Sequence, residues 1–181
     1  MKNLYTVSLC LFLVSIMNGQ DRFLTKNGSI SFFSETPIEN IEAKNSQVLS
    51  IVDAANGQMA ISILMKSFMF EKALMQEHFN ENYVESDKYP KAIFKGNILD
   101  FDKITASETK VQVKGKITIH GKTKEITIKA IAQKTAEAIL MTGDFYLTLV
   151  DFGIAIPSVV KNSISEKIKV NFSLNHTPYN K

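Results

Sequence analysis

Apolar side chains recur at every second position over most of this chain, and that spacing limits what it can fold into. Ile30 and Phe32 start the pattern; Met59, Ile61, Ile63 and Met65 carry it on; Ala92, Phe94 and Ile98 follow, with Gly96 keeping the phase. Val111, Val113, Ile117 and Ile119 share one phase, and Gln112, Lys114, Lys116, Thr118 and His120 share the other. Successive side chains of a strand point to opposite faces, so a period of two describes strands with one dry face and one wet face. Ile126, Ile128, Ala130 and Ala132 repeat the alternation. It continues through Ile139, Met141, Phe145, Leu147 and Leu149 and ends with Ile168, Val170, Phe172 and Leu174. Asn56-Gly57 and His120-Gly121 put residues that tolerate positive φ between such runs, the mark of hairpins and antiparallel pairing.

About eight strands of about 6–12 residues result. Long antiparallel strands with one apolar face must stack on a second sheet or close on themselves. The pattern predicts closure into an all-β barrel, because about eight strands enclose a space that side chains fill or that holds one elongated ligand. A two-layer sandwich satisfies the same alternation. The clear interruption is the stretch over residues 75–94. Residues 71–81 are rich in helix formers, with Leu74/His78 and Met75/Phe79 at i,i+4, which predicts a short helix across one end. Tyr89-Pro90 then forces an extended entry into the strand that carries Phe94.

The start of the chain reads as an address. Lys2 precedes an apolar run over residues 4–17, too short for a confident bilayer span, and cleavage near Gly19-Gln20 would leave residues 20–181 as a single periplasmic or secreted domain. Cys10 is the sole cysteine and lies inside that run after Leu9, which argues against lipid attachment. Residues 20–181 contain no thiol, so disulfides, cysteine-zinc sites and cysteine nucleophiles are excluded together. The chain carries 21 Lys+Arg against 18 Asp+Glu; loss of Lys2 leaves 20 against 18, a formal +2. That balance lacks the basic footprint of a nucleic-acid binder, and with Arg22 as the sole arginine there is little for bidentate phosphate recognition.

Candidate chemistry is sparse. His78, beside Glu77, is either an acid/base group or a polar cap at the barrel mouth; it has no metal-ligand spacing to His120 or His176. Asp100/Asp102 and Glu85/Asp87 are paired acids at strand ends or loops, where acids usually face water. Ser158, Ser163 and Ser165 lack a nucleophile-elbow context. Lys114/Lys116, Lys122/Lys124 and Lys167/Lys169 fall on outward faces or turns, solubilising the strands or holding an anionic head near an open end. Phe68, Phe70, Leu74, Met75, Phe79 and Tyr83 form an apolar group beside the strands. They are either a core plug or one lip of a hydrophobic tunnel.

The series Met75, His78-Phe79, Tyr83, Tyr89-Pro90 and Phe94-Lys95-Gly96, with Gly115-x-Ile117-x-Ile119-His120-Gly121-x-Thr123 and Phe152-Gly153-Ile154, resembles the YceI-like family of exported polyisoprenoid-binding proteins. The resemblance runs over residues 27–174 and rests on order and spacing. It implies an extended lipocalin-like antiparallel barrel with a helical segment over it, holding a long isoprenoid or other amphiphile. The family has no settled catalytic residues to carry over. The chain departs from its pattern at Thr36-Pro37-Ile38-Glu39-Asn40-Ile41, where a Gly-containing stretch is usual.

The expectation is therefore a binding protein without cofactor or metal, its partner an isoprenoid or fatty-chain lipid. Phe32, Ile61, Ile63, Phe94 and Val113 line the dry cavity together with Ile117, Phe145, Leu147, Val170 and Phe172. The group from Phe68 to Tyr83 forms its lip, and His78 and Tyr89 supply polar groups at its mouth. Two other readings stay open: an enzyme acting on an amphiphile through His78, and a filled barrel that serves as an interaction module.

Overall fold

The computed structural model describes residues 22–179. Nine strands form one antiparallel sheet: β1 (Arg22–Glu35), β2 (Asn40–Asp53), β3 (Gln58–Leu64), β4 (Met69–Phe70), β5 (Lys91–Ile98), β6 (Thr109–Ile119), β7 (Lys122–Lys134), β8 (Ile139–Thr148) and β9 (Lys167–Pro178). Their order is β1-β9-β8-β7-β6-β5-β3-β2, and β1 pairs with β2 to close the ring. Every strand of this eight-membered ring thus has two neighbours, and the closed barrel, not the sandwich, is the fold. β4 is an addition on the rim, held to β2 through Ala43↔Phe70 and Lys44↔Met69.

β1 and β2 change phase partway along. In β1 the buried positions are Phe23 and Thr25, then Gly28 and Ser34, with register shifts on either side of Gly28. In β2 they are Ala43 and Asn45, then Val48, Ser50 and Val52. An extra residue in each strand moves the inward set from odd to even numbers, as a bulge does. Asn45 fixes the irregularity in β2: its Oδ1 accepts the Gln47 N–H at 2.8 Å and its Nδ2 donates to the Leu64 carbonyl at 3.0 Å. At Gly28 a Cβ would lie 2.6 Å from Leu174 Cδ2, so the two strands and β9 meet here without room for a side chain.

The base of the barrel is packed shut. Val52, Ala132, Ile139, Ser50 and His176 are wholly buried there, and Phe101 covers the Asn56-Gly57 turn, whose glycine has φ +72°. The opposite rim is built by the β1–β2 turn, the β6–β7 turn, residues 65–90 and residues 149–166. His120 and Gly121 have φ of +49° and +70° and leave Ile119 paired directly with Lys122, a two-residue turn whose twist matches the strands.

The expected helix is present but shorter than residues 71–81. α1 spans Ala73–His78, and Phe79–Tyr83 widen into a π turn. Its N-cap Lys72 offers no side-chain acceptor for the first amides, so the segment is held by tertiary contacts. The Phe70 N–H donates to Gln76 Oε1 at 3.1 Å, Lys72 Nζ lies 3.0 Å from Glu39 Oε1, and the Met65 N–H donates to the Pro90 carbonyl at 3.0 Å. The stretch read as an export signal, residues 1–19, lies outside the described residues. Among the described residues no helix is long and apolar enough to cross a membrane.

Candidate binding cavity

The rim encloses an apolar cavity of about 290 Å³. Four phenylalanines from three segments form one side of it. Phe32 of β1 lies 5.2 Å from Phe68, 5.7 Å from Phe70 and 5.4 Å from Phe79 between ring centroids, and Phe79 also meets Phe68 and Phe70. Tilted and edge contacts of this kind suit the ring quadrupoles and join the cap to the wall. Val170 of β9, the direct partner of Phe32, and Leu147 of β8 continue the wall beside it, and Met75 and Tyr83 close over the top from the helical segment. Below, Ile63, Ile117 and Phe145 also border a second space of about 60 Å³, which Ile61, Phe94, Val113 and Phe172 line.

Two of the expected residues lie elsewhere. Leu74 sits on the outer face of α1, 61% exposed, because neighbouring helix positions turn away from the cavity that Met75 faces. Tyr89 lies on the outside of the rim, its ring edge-on to His120 at 4.6 Å and packed over Gly121. His78 is exposed at the lip and lines the cavity. Sequence reasoning missed Ile41 on the β1–β2 hairpin and Val160, Ser163 and Ile164 before β9, all of which line the mouth. Residues 155–166 carry no period-two pattern, so only scattered apolar residues, among them Val160 and Ile164, hinted at an inward role.

Polar groups on the cavity wall are few. Glu39 is engaged by Lys72, and the Tyr83 phenol, its pKa raised by burial, makes no hydrogen bond among the described residues. None of the lysine clusters lines the cavity. Lys114 pairs with Glu125 at 3.0 Å, Lys124 with Asp151 at 3.1 Å, and Lys167 lies over the Tyr146 ring at 4.6 Å. The expected acids are likewise paired at the surface: Asp100 with Lys103 at 2.7 Å, Asp87 with Lys66, and Glu85 with His120 at 2.6 Å.

His176 is the buried histidine, with Nε2 2.8 Å from Ser50 Oγ and Nδ1 2.9 Å from the Ile139 carbonyl. Burial lowers its pKa, and the ring lines neither space. His78 makes no side-chain hydrogen bond or ion pair among the described residues. No group of three or more His, Asp or Glu among them is placed to hold a metal ion.

Residues 21–176 match the model of the YceI-like domain. No curated protein matches significantly. Among solved structures, a polyisoprenoid binding domain from Saccharophagus degradans implicated in plant cell wall breakdown superposes with a TM-score of 0.77 at 15% identity, covering 88% of this chain and 99% of that one. BcnA from Burkholderia cenocepacia gives 0.68 at 19% identity over 82% and 95%. The Campylobacter jejuni YCEI protein gives 0.62 at 17% identity over 81% and 90%.

Proposed function

The chain belongs to the YceI-like domain family, and we propose from that footing that it is a non-catalytic binding protein whose barrel takes up the apolar tail of an isoprenoid or other amphiphilic lipid. The observation that carries this reading is the cavity itself: about 290 Å³, open at the capped end, walled by Phe32, Phe68, Phe70, Leu147 and Val170. Burying a methylene contributes about 0.8 kcal/mol, so roughly ten of them contribute about 8 kcal/mol before ordering costs, enough for useful affinity without any charge contact. Tyr83, His78 and Ser163 at the lip are polar groups able to meet a head group. The likeness to a domain described as polyisoprenoid binding supports the same ligand class. With residues 1–19 removed as an export signal, the domain would store or carry its lipid in the periplasm or outside the cell.

The test is organic extraction of the natively purified protein with mass spectrometry of the extract, beside titration of stripped protein with a fluorescent fatty probe. A recovered single-tailed lipid and saturable probe binding are expected. Protein that repeatedly yields no lipid and no saturable signal overturns the reading in favour of a filled barrel. Retained uptake in His78→Ala is expected as well, since a lip residue contributes little to tail burial.

A further inference from the structure

The cavity does not run the length of the barrel. Ile30, Ile63, Ile117 and Phe145 are the residues shared by the 290 Å³ chamber and the 60 Å³ space beneath it. They come from β1, β3, β6 and β8, which are alternate members of the eight-strand ring. Inward residues of alternate strands form a layer in a barrel, so these four make a collar across the axis.

Beneath the collar the interior is occupied by Phe94 of β5 and Phe172 of β9, from the other alternate set. Both rings bring their tips up against bare backbone. Phe94 Cζ is 2.8 Å and 2.6 Å from where a Cβ on Gly96 or Gly115 would sit, and those glycines face each other across β5 and β6. Phe172 Cζ is 2.8 Å from the corresponding point on Gly143, its direct partner on β8. Glycines that admit the rings and a collar that overlies them hold this floor in place.

Resting on the reading that the cavity holds an apolar tail, we propose that collar and floor together act as a length gauge. The chamber accepts a tail as far as the collar, and any further length stays outside the rim. The preferred guest is then a short-chain amphiphile, or a longer one only partly enclosed. Phe94 and Phe172 set the limit.

The experiment displaces a bound fluorescent fatty probe from lipid-stripped protein with unbranched 1-alkanols of about six to about sixteen carbons. Affinity should rise roughly fourfold per added carbon while the carbon is enclosed, then flatten within the series once the tail reaches the collar. Phe94→Ala should move the break outward by several carbons, and Phe94→Leu, kept for the case in which the alanine variant fails to fold, by fewer. Affinity that keeps rising through the whole series overturns the gauge while leaving the lipid-binding reading intact. An unmoved break in a folded Phe94 variant overturns the assignment of the floor. If no alkanol competes at any length, the cavity reading falls and the gauge falls with it.

Discussion

Glu85 Oε2 lies 2.6 Å from His120 Nε2, and this contact ties the end of the cap segment to the β6–β7 turn of the rim. The other ring nitrogen of His120, Nδ1, lies 3.1 Å from the Phe152 carbonyl. Both residues have positive φ, +44° for Glu85 and +49° for His120, conformations that non-glycine residues hold only when their surroundings require it. The Glu85 carboxyl is held below its usual 4.5 mainly by the His120 hydrogen bond, with Lys88 adding to it against some desolvation. A folded value below the unfolded one means that the contribution is complete above about pH 4.5 and disappears as pH falls through the folded value. Glu85→Gln should therefore lower Tm at pH 7, and its gap to the unmutated protein should close on acidification below that point. A gap that stays constant down to pH 3 would show that the carboxylate charge is irrelevant to the clasp.

A second pH window belongs to the base of the barrel. His176 is wholly buried, and burial holds its pKa below 6.5 although the Ile139 carbonyl opposes the shift. The unfolded chain then binds a proton that the folded one refuses, so stability is complete above about pH 6.5 and declines as pH falls toward the folded value. Chemical denaturation at pH 7.5 and 5.5 should show this decline, and His176→Gln should remove that share of it. Ser50→Ala orphans one imidazole nitrogen in a dry site and is expected to cost about 1–3 kcal/mol at neutral pH.

Asn45 makes a different kind of prediction, one about backbone geometry. It is wholly buried and bonds both to the next turn of its own strand and to the Leu64 carbonyl at the start of the cap. Asn45→Ala leaves the Gln47 N–H and that carbonyl without these partners, for an expected loss of about 2–4 kcal/mol. Asn45→Asp keeps the acceptor for Gln47 but puts a carboxylate against a carbonyl oxygen. Equal stability of the two variants with the parent in urea denaturation would show that the bulge holds without its side chain.

These phase shifts also explain how much of the molecule could be read from the sequence. β6 and β7 alternate without a break from Val111 to Ala132, with a two-residue turn at His120-Gly121, and their course was legible residue by residue. β1 and β2 were visible only in part. Their inward sets change parity at the bulge, and several inward residues are polar: Thr25 accepts the nearby Asn27 N–H, while Ser34, Asn45 and Ser50 have partners that lie far away in sequence. Periodicity counts hydrophobes in one phase and sees neither feature. For the cavity, strand residues such as Leu147 and Val170 followed from alternation alone. Leu74 did not, because one helical turn carries too few residues to say which side faces in. The mouth residues of 155–166 come from chain without repeating geometry, and no local pattern places them.

The floor of the chamber gives the last prediction, because its glycines are constrained by neighbours more than by dihedrals. A Cβ on Gly115 would stand 2.5 Å from the Lys95 carbonyl oxygen, 2.6 Å from Phe94 Cζ and 2.7 Å from the Gly96 Cα across the strand pair. Real side chains essentially never come that close, so either the ring lifts or β5 and β6 separate. The ring is the softer of the two, while the backbone contact would remain whatever it does. Gly115→Ala is expected to destabilise the barrel by about 1–3 kcal/mol. If the Phe94 ring supplies part of that cost, Phe94→Ala should be less damaging in the Gly115→Ala background than in the parent, with a coupling of about 0.5–3 kcal/mol in a double-mutant cycle. Strict additivity would place the whole penalty in the backbone contacts of Gly115 with Lys95 and Gly96, and the ring would then be free of the glycine track beside it.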